Sequence, residues 1–155
     1  MIDFTFIDLF AGIGGFRLGL EAIGGKCVFS AEINKHACEM YELNFGDNPF
    51  CDITKVDEKR IPNHDVLCAG FPCQAFSMAG KKLGFEEARG TLFFDVADII
   101  SRHRPKAFFL ENVKNLYRHD GGNTYARIHT ELENEGYHVF PNIFNTMDFH
   151  LPEKR

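Results

Sequence analysis

Two side chains carry the strongest chemical signal. Cys73 lies in a Phe-Pro-Cys-Gln turn, Phe71 to Gln74, directly after the apolar run Asp65 to Ala69. A thiol held at a strand end and followed by polar residues is exposed, and once ionised it is a nucleophile. Glu111 follows a second apolar run, Ala107 to Leu110, 38 positions further along. If the two runs are neighbouring strands, thiol and carboxyl lie across one crevice with room for a planar substrate. A partly dehydrated carboxyl there keeps its proton near neutral pH and donates a hydrogen bond. The plainer readings are that a cysteine in apolar surroundings only packs, as Cys68 should, and that Glu111 caps a helix.

A second cluster lies nearer the N-terminus. Asp8 to Gly15 reads DLFAGIGG, placing Gly12, Gly14 and Gly15 where an apolar strand gives way to a helix. Glycine lets the backbone approach a ligand closely, although this register departs from the pyrophosphate-binding G-x-G-x-x-G pattern. Glu32 follows Gly12 by 20 positions, where an acid can accept from both ribose hydroxyls of a nucleoside; a tight turn and a surface acid is the alternative. Asp52 sits where a carboxylate can accept from an adenine amino group, or can simply cap a turn. A zinc site from Cys68, Cys73 and His64 or His103 has the wrong spacing for a knuckle and no second ligand pair.

The elements that must position these groups alternate. Phe4 to Phe10 is a buried strand, Phe16 to Ile23 a helix stopped by Gly24-Gly25, and Cys27 to Ala31 a second strand ending at Glu32. A second helix is expected from about Asn34 to Leu43, a third strand at Phe50 to Ile53, and a fourth at Asp65 to Ala69. Thr91 to His103 has helical spacing and ends before Pro105; Ala107 to Leu110 is a fifth strand. Asn123 should N-cap a helix to about Glu135, stopped by Gly136, and Tyr137 to Asn145 alternates enough for a sixth strand. The pattern predicts an α/β fold, a doubly wound and mostly parallel sheet covered on both faces, in one domain spanning residues 1–155.

Composition sets the outer limits. The chain has 155 residues, 45% apolar, with 17 basic against 22 acidic side chains and a formal charge of −5. At this length roughly 70% of the unfolded surface can be buried, so no disulfide or metal is needed to hold a core. Five cysteines without a C-x-x-C pair suit a reducing compartment. Neither a span of about 20 apolar residues nor a leader pattern follows Met1, so a cytoplasmic location is expected. Net acidity argues against a chain that grips nucleic acid unaided. Leu151 to Arg155 stops where a partner strand should follow, as in a piece of something longer.

Taken in order, these blocks resemble the C5-cytosine DNA methyltransferases, in particular the HhaI-like enzymes of bacterial restriction-modification systems. The matching stretches are DLFAGIGGFRLGLE (Asp8 to Glu21), Glu32 in SAEINKHA, CDIT (Cys51 to Thr54), GFPCQAFSMAGKKLGF (Gly70 to Phe85), RGTLFFD (Arg89 to Asp95) and ENVKNL (Glu111 to Leu116). The resemblance implies a Rossmann-like domain binding S-adenosylmethionine, with Phe10, Gly12 and Gly14 around the methionine moiety, Glu32 on the ribose, Asp52 and Ile53 at the adenine, and Leu92 packing on the cofactor. It implies that Cys73 attacks cytosine carbon 6 while Glu111 holds ring nitrogen 3, on a base flipped from duplex DNA. Gln74, Ser77, Lys81 and Arg89 would meet phosphate or sugar, with Arg155 also facing DNA; Lys82 reads as plain surface. The sequence departs from the family where Glu153 replaces a glutamine and where a second active-site arginine would follow. The target-recognition domain and closing C-terminal segment are likewise absent, as in a truncated gene, a partial record or one half of a split enzyme, the last of which would have a complementary chain as its partner. A tRNA cytosine methyltransferase of the same family and a noncatalytic cofactor-binding subunit are the competing expectations, with a nicotinamide oxidoreductase a distant third.

Overall fold

A computed structural model describes residues 3–72 and 92–149 of the chain. The polypeptide divides into two compact units, Met1–Val113 and Lys114–Arg155.

The first unit is an α/β layer structure around a four-stranded parallel sheet. In chain order its elements are β1 (Phe4–Leu9), α1 (Gly15–Glu21), β2 (Gly25–Ala31), α2 (Lys35–Phe45), β3 (Val66–Ala69), α3 (Leu92–His103) and β4 (Ala107–Leu110). The strands lie in the order β2-β1-β3-β4, every neighbouring pair parallel. β1 is central, and Phe6, Ile7, Asp8 and Leu9 are all fully buried. That explains the mainly apolar character of FTFIDLF, in which only Thr5 and Asp8 are polar, since a strand covered on both faces has no polar side to show. α3 buries Phe93, Phe94, Val96, Ala97, Ile99 and Ile100, the helical spacing legible in its sequence.

Local chemistry sets the element ends. Asn34 caps α2, its side chain accepting from the His36 and Ala37 amides at 3.0 and 3.2 Å, and Gly46 ends that helix with φ +80°, the left-handed turn that glycine adopts without strain. α1 has no side-chain cap. It is fastened instead by Arg17, whose guanidinium meets Glu21 at 2.8 Å and Asp47 at 2.7 Å and lies 4.5 Å from the Phe45 ring centre. At the other end of the sheet Asp65 accepts from the Thr5 amide at 2.8 Å and meets Lys106 at 2.7 Å.

The second unit contains a 3-10 segment over Lys114–Gly122 and helix α4 (Asn123–Asn134), which buries Thr124, Ile128 and Leu132.

Three expectations are corrected. Phe50 to Ile53 is not a strand: only an isolated bridge joins Glu32 to Phe50, and the chain then winds into a 3-10 turn at Ile53–Lys55 capped by Asp52. A side chain that satisfies the amide two residues ahead competes directly with ladder formation. Tyr137 to Asn145 is not a strand either; alternation is insufficient without a neighbour to pair with, and Phe140 is 90% exposed. The cap of α4 is Gly122, at φ +93°, whereas the Asn123 side chain turns to Asp120 at 3.4 Å. Among the described residues no helix is long and apolar enough to cross a membrane.

Candidate cofactor and catalytic site

The chain passes from β1 to β2 on one side of the sheet and then crosses to β3 on the other. The order therefore reverses beside β1, and the carboxyl ends of the strands at such a reversal are where open α/β sheets bind their ligands. Every described candidate residue lies at or just beyond this edge or on an element packed against it.

The turn after β1 is conformationally unusual. Phe10 has φ +56°, Gly12 +55° and Gly14 +92°. For a bulky side chain such as Phe10 a left-handed backbone is uncommon, and it persists only where its surroundings impose it. The two glycines serve different ends. A Cβ built on Gly14 would run into the Phe45 ring, whereas one on Gly12 would meet nothing within 4 Å. Gly14 is thus required for packing against α2, and Gly12 leaves open space.

Glu32 fastens this turn to the end of β2. Its Oε2 accepts from the Gly12 amide at 2.8 Å, and its Oε1 accepts from Ile33 and Asn34 at 2.9 and 2.7 Å. A carboxylate offers about four acceptor positions, so three amides leave room for a hydroxyl. Asp52 accepts from the Thr54 amide and hydroxyl at 3.2 and 2.7 Å and pairs with Lys55 at 2.8 Å. Lys55 first, then Thr54, hold its pKa below the usual carboxylate value. Asp52 is therefore a turn cap, whatever else it does. Ile53 beside it is buried; α3 packs against this turn, and Leu92, half-buried, begins α3.

Glu111 stands one residue past β4. Its amide donates to the Ala69 carbonyl at 2.9 Å, and a Cβ on Gly70 would lie 3.5 Å from its Oε2. The carboxyl thus sits beside the tip of β3, from which the chain runs through Phe71 and Pro72 toward Cys73. Glu111 is exposed, so the partial burial expected of it is not found. Cys73, Gln74, Ser77, Lys81, Arg89 and Arg155 lie outside the described residues. Cys68 is fully buried, with burial raising its thiol pKa to about 12, which fits a packing role. Among the described residues no three His, Cys, Asp or Glu side chains gather as a metal site would require.

Two residues escaped assignment from the sequence. Asp8, on β1, is 0% exposed with neither carboxyl oxygen hydrogen-bonded. Burial raises its pKa from 3.8 to about 7 against the weaker pull of the Arg17 amide and guanidinium. The signal was there, an acid inside an apolar run. Asn112 bonds to the Phe71 carbonyl at 2.8 Å, a contact that no spacing rule foretells.

The family model for C-5 cytosine-specific DNA methylases matches residues 4–155. The chain belongs to this family. It is 55% identical over 150 residues to the Type II methyltransferase M.HhaI of Haemophilus parahaemolyticus, covering 97% of this chain and 46% of that protein. It is 60% identical over 156 residues to M.HpaII of Haemophilus parainfluenzae, covering 98% and 44%. The chain thus spans a little under half the length of these relatives. Among solved structures, the Entamoeba histolytica methyltransferase EhMeth superposes with a TM-score of 0.76 at 22% identity, over 100% of this chain and 51% of that one. At that identity the likeness establishes the fold, the Rossmann-like sheet of the C-5 methylases. Within that fold, the open glycine turn and Glu111 belong to the same edge.

Proposed function

We propose that this chain is the cofactor-binding and catalytic portion of a DNA (cytosine-5)-methyltransferase of a restriction-modification system, acting on double-stranded DNA. The observation that carries the reading is that the open turn at Gly12, tied by Glu32, and the carboxyl of Glu111 stand at one carboxyl edge of the sheet. The residues present suit S-adenosylmethionine. Gly12 leaves space for close approach, Glu32 has an acceptor position left for a ribose hydroxyl, and Asp52 with Ile53 offers an acceptor beside an apolar wall. Bound there, the cofactor would supply an electrophilic methyl group carried on a sulfonium.

Cytosine carbon 5 is a poor nucleophile, and the chain's own residues change that. The Cys73 thiolate adds to carbon 6, forming a carbon–sulfur bond, while Glu111 hydrogen-bonds ring nitrogen 3 and stabilises the charge that develops there. Carbon 5 becomes enamine-like and would accept the methyl group as its bond to sulfur breaks, the sulfonium leaving as a neutral thioether. Loss of the carbon 5 proton and departure of the thiolate then restore the aromatic ring. Carbon 6 is shielded in a stacked duplex, so the base must be everted, at a cost of a few kcal/mol that protein contacts repay. Gln74, Ser77, Lys81, Arg89 and Arg155 are the residues we assign to those contacts. Target recognition would come from the length that the relatives carry beyond the matched half, in the same polypeptide or a complementary one.

Duplex DNA containing 5-fluorocytosine tests the mechanism, because fluorine blocks loss of the carbon 5 substituent and leaves the enzyme attached. With S-adenosylmethionine present, a covalent adduct mapping to Cys73 is expected, and Cys73→Ser abolishes it. Absence of any adduct, including after a complementary half is supplied, overturns the catalytic reading in favour of a binding subunit.

A further inference from the structure

Asn112 is engaged at both ends of its carboxamide. Oδ1 accepts from the Val113 amide at 2.9 Å, and Nδ2 donates to the Phe71 carbonyl at 2.8 Å. Together the two contacts determine which end is oxygen, since the flipped amide would set donor against donor and acceptor against acceptor. Phe71 is also held from another side. It is 4% exposed, with its ring 5.7 Å from that of Phe93 on α3.

The location of this carboxamide in the ladder gives it meaning. Between β3 and β4 the last backbone rung is Glu111 amide to Ala69 carbonyl, 2.9 Å. Bonds of that sense, from β4 amide to β3 carbonyl, recur every two residues, so the next of them would join the Val113 amide to the Phe71 carbonyl. Those are the two groups that Asn112 takes instead. The carboxamide stands in place of that bond, and the two chains stay connected there through a side chain.

We propose that Asn112 is a positioning residue, a spacer that sets the opening between the two strand tips bearing the reactive groups. Phe71 precedes Cys73 by two residues in the sequence, and Glu111 is the immediate neighbour of Asn112. One side chain therefore couples the chain leading to the thiol with the carboxyl that must act on the same base. The inference rests on the proposed catalytic pair Cys73 and Glu111. Nucleophilic addition requires near-attack geometry, and a displacement of about 1 Å costs on the order of 100-fold in rate.

The test uses Asn112→Asp, Asn112→Ala and Asn112→Gln in the full polypeptide carrying this chain. Asn112→Asp keeps the shape and the Val113 bond but sets an oxygen against the Phe71 carbonyl. Asn112→Ala removes the spacer altogether. Both should lower kcat and the rate of 5-fluorocytosine trapping by roughly 10- to 100-fold. S-adenosylmethionine affinity should stay within about threefold, because Gly12, Glu32 and Asp52 belong to other strand ends. Asn112→Gln, which retains the carboxamide on a longer arm, should recover part of the rate. Wild-type trapping rates in the Asp and Ala variants, or a rate loss matched by an equal loss of cofactor affinity, overturn the spacer. Failure of the unsubstituted protein to trap, or trapping that survives Cys73→Ser, strikes instead at the catalytic reading.

Discussion

Asp8 should make the protein less stable as pH rises through neutrality, the reverse of what most carboxylates do. It is fully buried on the central strand, opposite Ser30 of β2 and Cys68 of β3 in the sheet register, and no hydrogen bond of good geometry reaches its carboxyl oxygens, on which the Arg17 amide exerts only a weak pull. Desolvation therefore dominates, raising its pKa from 3.8 to about 7, with the nearby charge of Glu32 adding to the rise. Between those values the folded state holds a proton that the unfolded chain has released, so stability falls as pH increases. Below 3.8 both states are protonated and the contribution is fully present; above 7 both are ionised and it is gone. At 1.36 kcal/mol per tenfold, the whole gap is worth about 4 kcal/mol, of which between 2 and 3 kcal/mol lies between pH 5 and pH 8.

Asp8→Asn replaces the acid with a neutral group of the same shape and so mimics the protonated form at every pH. Urea unfolding of both proteins from pH 5 to pH 8 measures the effect, with the difference between them as the readout. The difference matters because His64 contributes with the opposite sign. Burial, and then the neighbouring His103, lower its pKa, so its contribution rises with pH, and it cancels between the two proteins. The variant should gain on the wild type by between 2 and 3 kcal/mol over that range. Parallel curves would refute the reasoning, because they would mean that the carboxyl is already ionised or finds a partner inside the fold.

The glycine turn predicts a crossed result. Gly14→Ala, which collides with Phe45 at φ +92°, should cost roughly 2–3 kcal/mol of stability, while Gly12→Ala, strained at φ +55° but facing open space, should cost only about 1–2 kcal/mol and lose more cofactor affinity; calorimetric melting and S-adenosylmethionine titration would show the reverse order if the assignment of the two glycines is mistaken. Glu32→Gln leaves one carbonyl oxygen for the amides of Gly12, Ile33 and Asn34, so S-adenosylmethionine binding should weaken by about tenfold or more, and unchanged affinity would remove Glu32 from the site. Asp65 behaves oppositely to Asp8. Lys106 and then Thr5 lower its pKa to about 2, so its stabilisation is present above 3.8 and lost as pH falls from there through 2, and Asp65→Asn should flatten that part of an acid-unfolding curve.

What was legible in the sequence was the part written in periodicity. FTFIDLF declares a strand buried on both faces, and the spacing of Leu92 through Ile100 declares the face of α3. The same logic placed Glu32 and Glu111 at strand ends, and both lie there. It failed where a polar side chain or a missing neighbour decides the outcome. Asp52 takes the Thr54 amide and hydroxyl, ending what Phe50 to Ile53 would otherwise begin as a strand. The alternation of Tyr137 to Asn145 describes a face without supplying an adjacent strand, and a ladder needs both.

The polar ties of the site were illegible for the same reason, and they are what gives the crevice its form. A parallel sheet zipped to its end leaves no cleft between strand tips; one that simply frays leaves no fixed geometry. Here Glu32 bonds the glycine turn to the start of α2, and the Asn112 carboxamide enters the rung where β3 and β4 would otherwise meet. Each makes its connection through a side chain, with a hydrogen bond at either end. An opening held in this way has a hydrogen bond at each end, and the proposed attack on carbon 6 requires such fixed geometry. Such a side chain has no partner at a fixed spacing, because its partners are amides and carbonyls that every residue carries. Sequence patterns therefore find the strands that bear the reactive groups more readily than the residues that hold those strands apart.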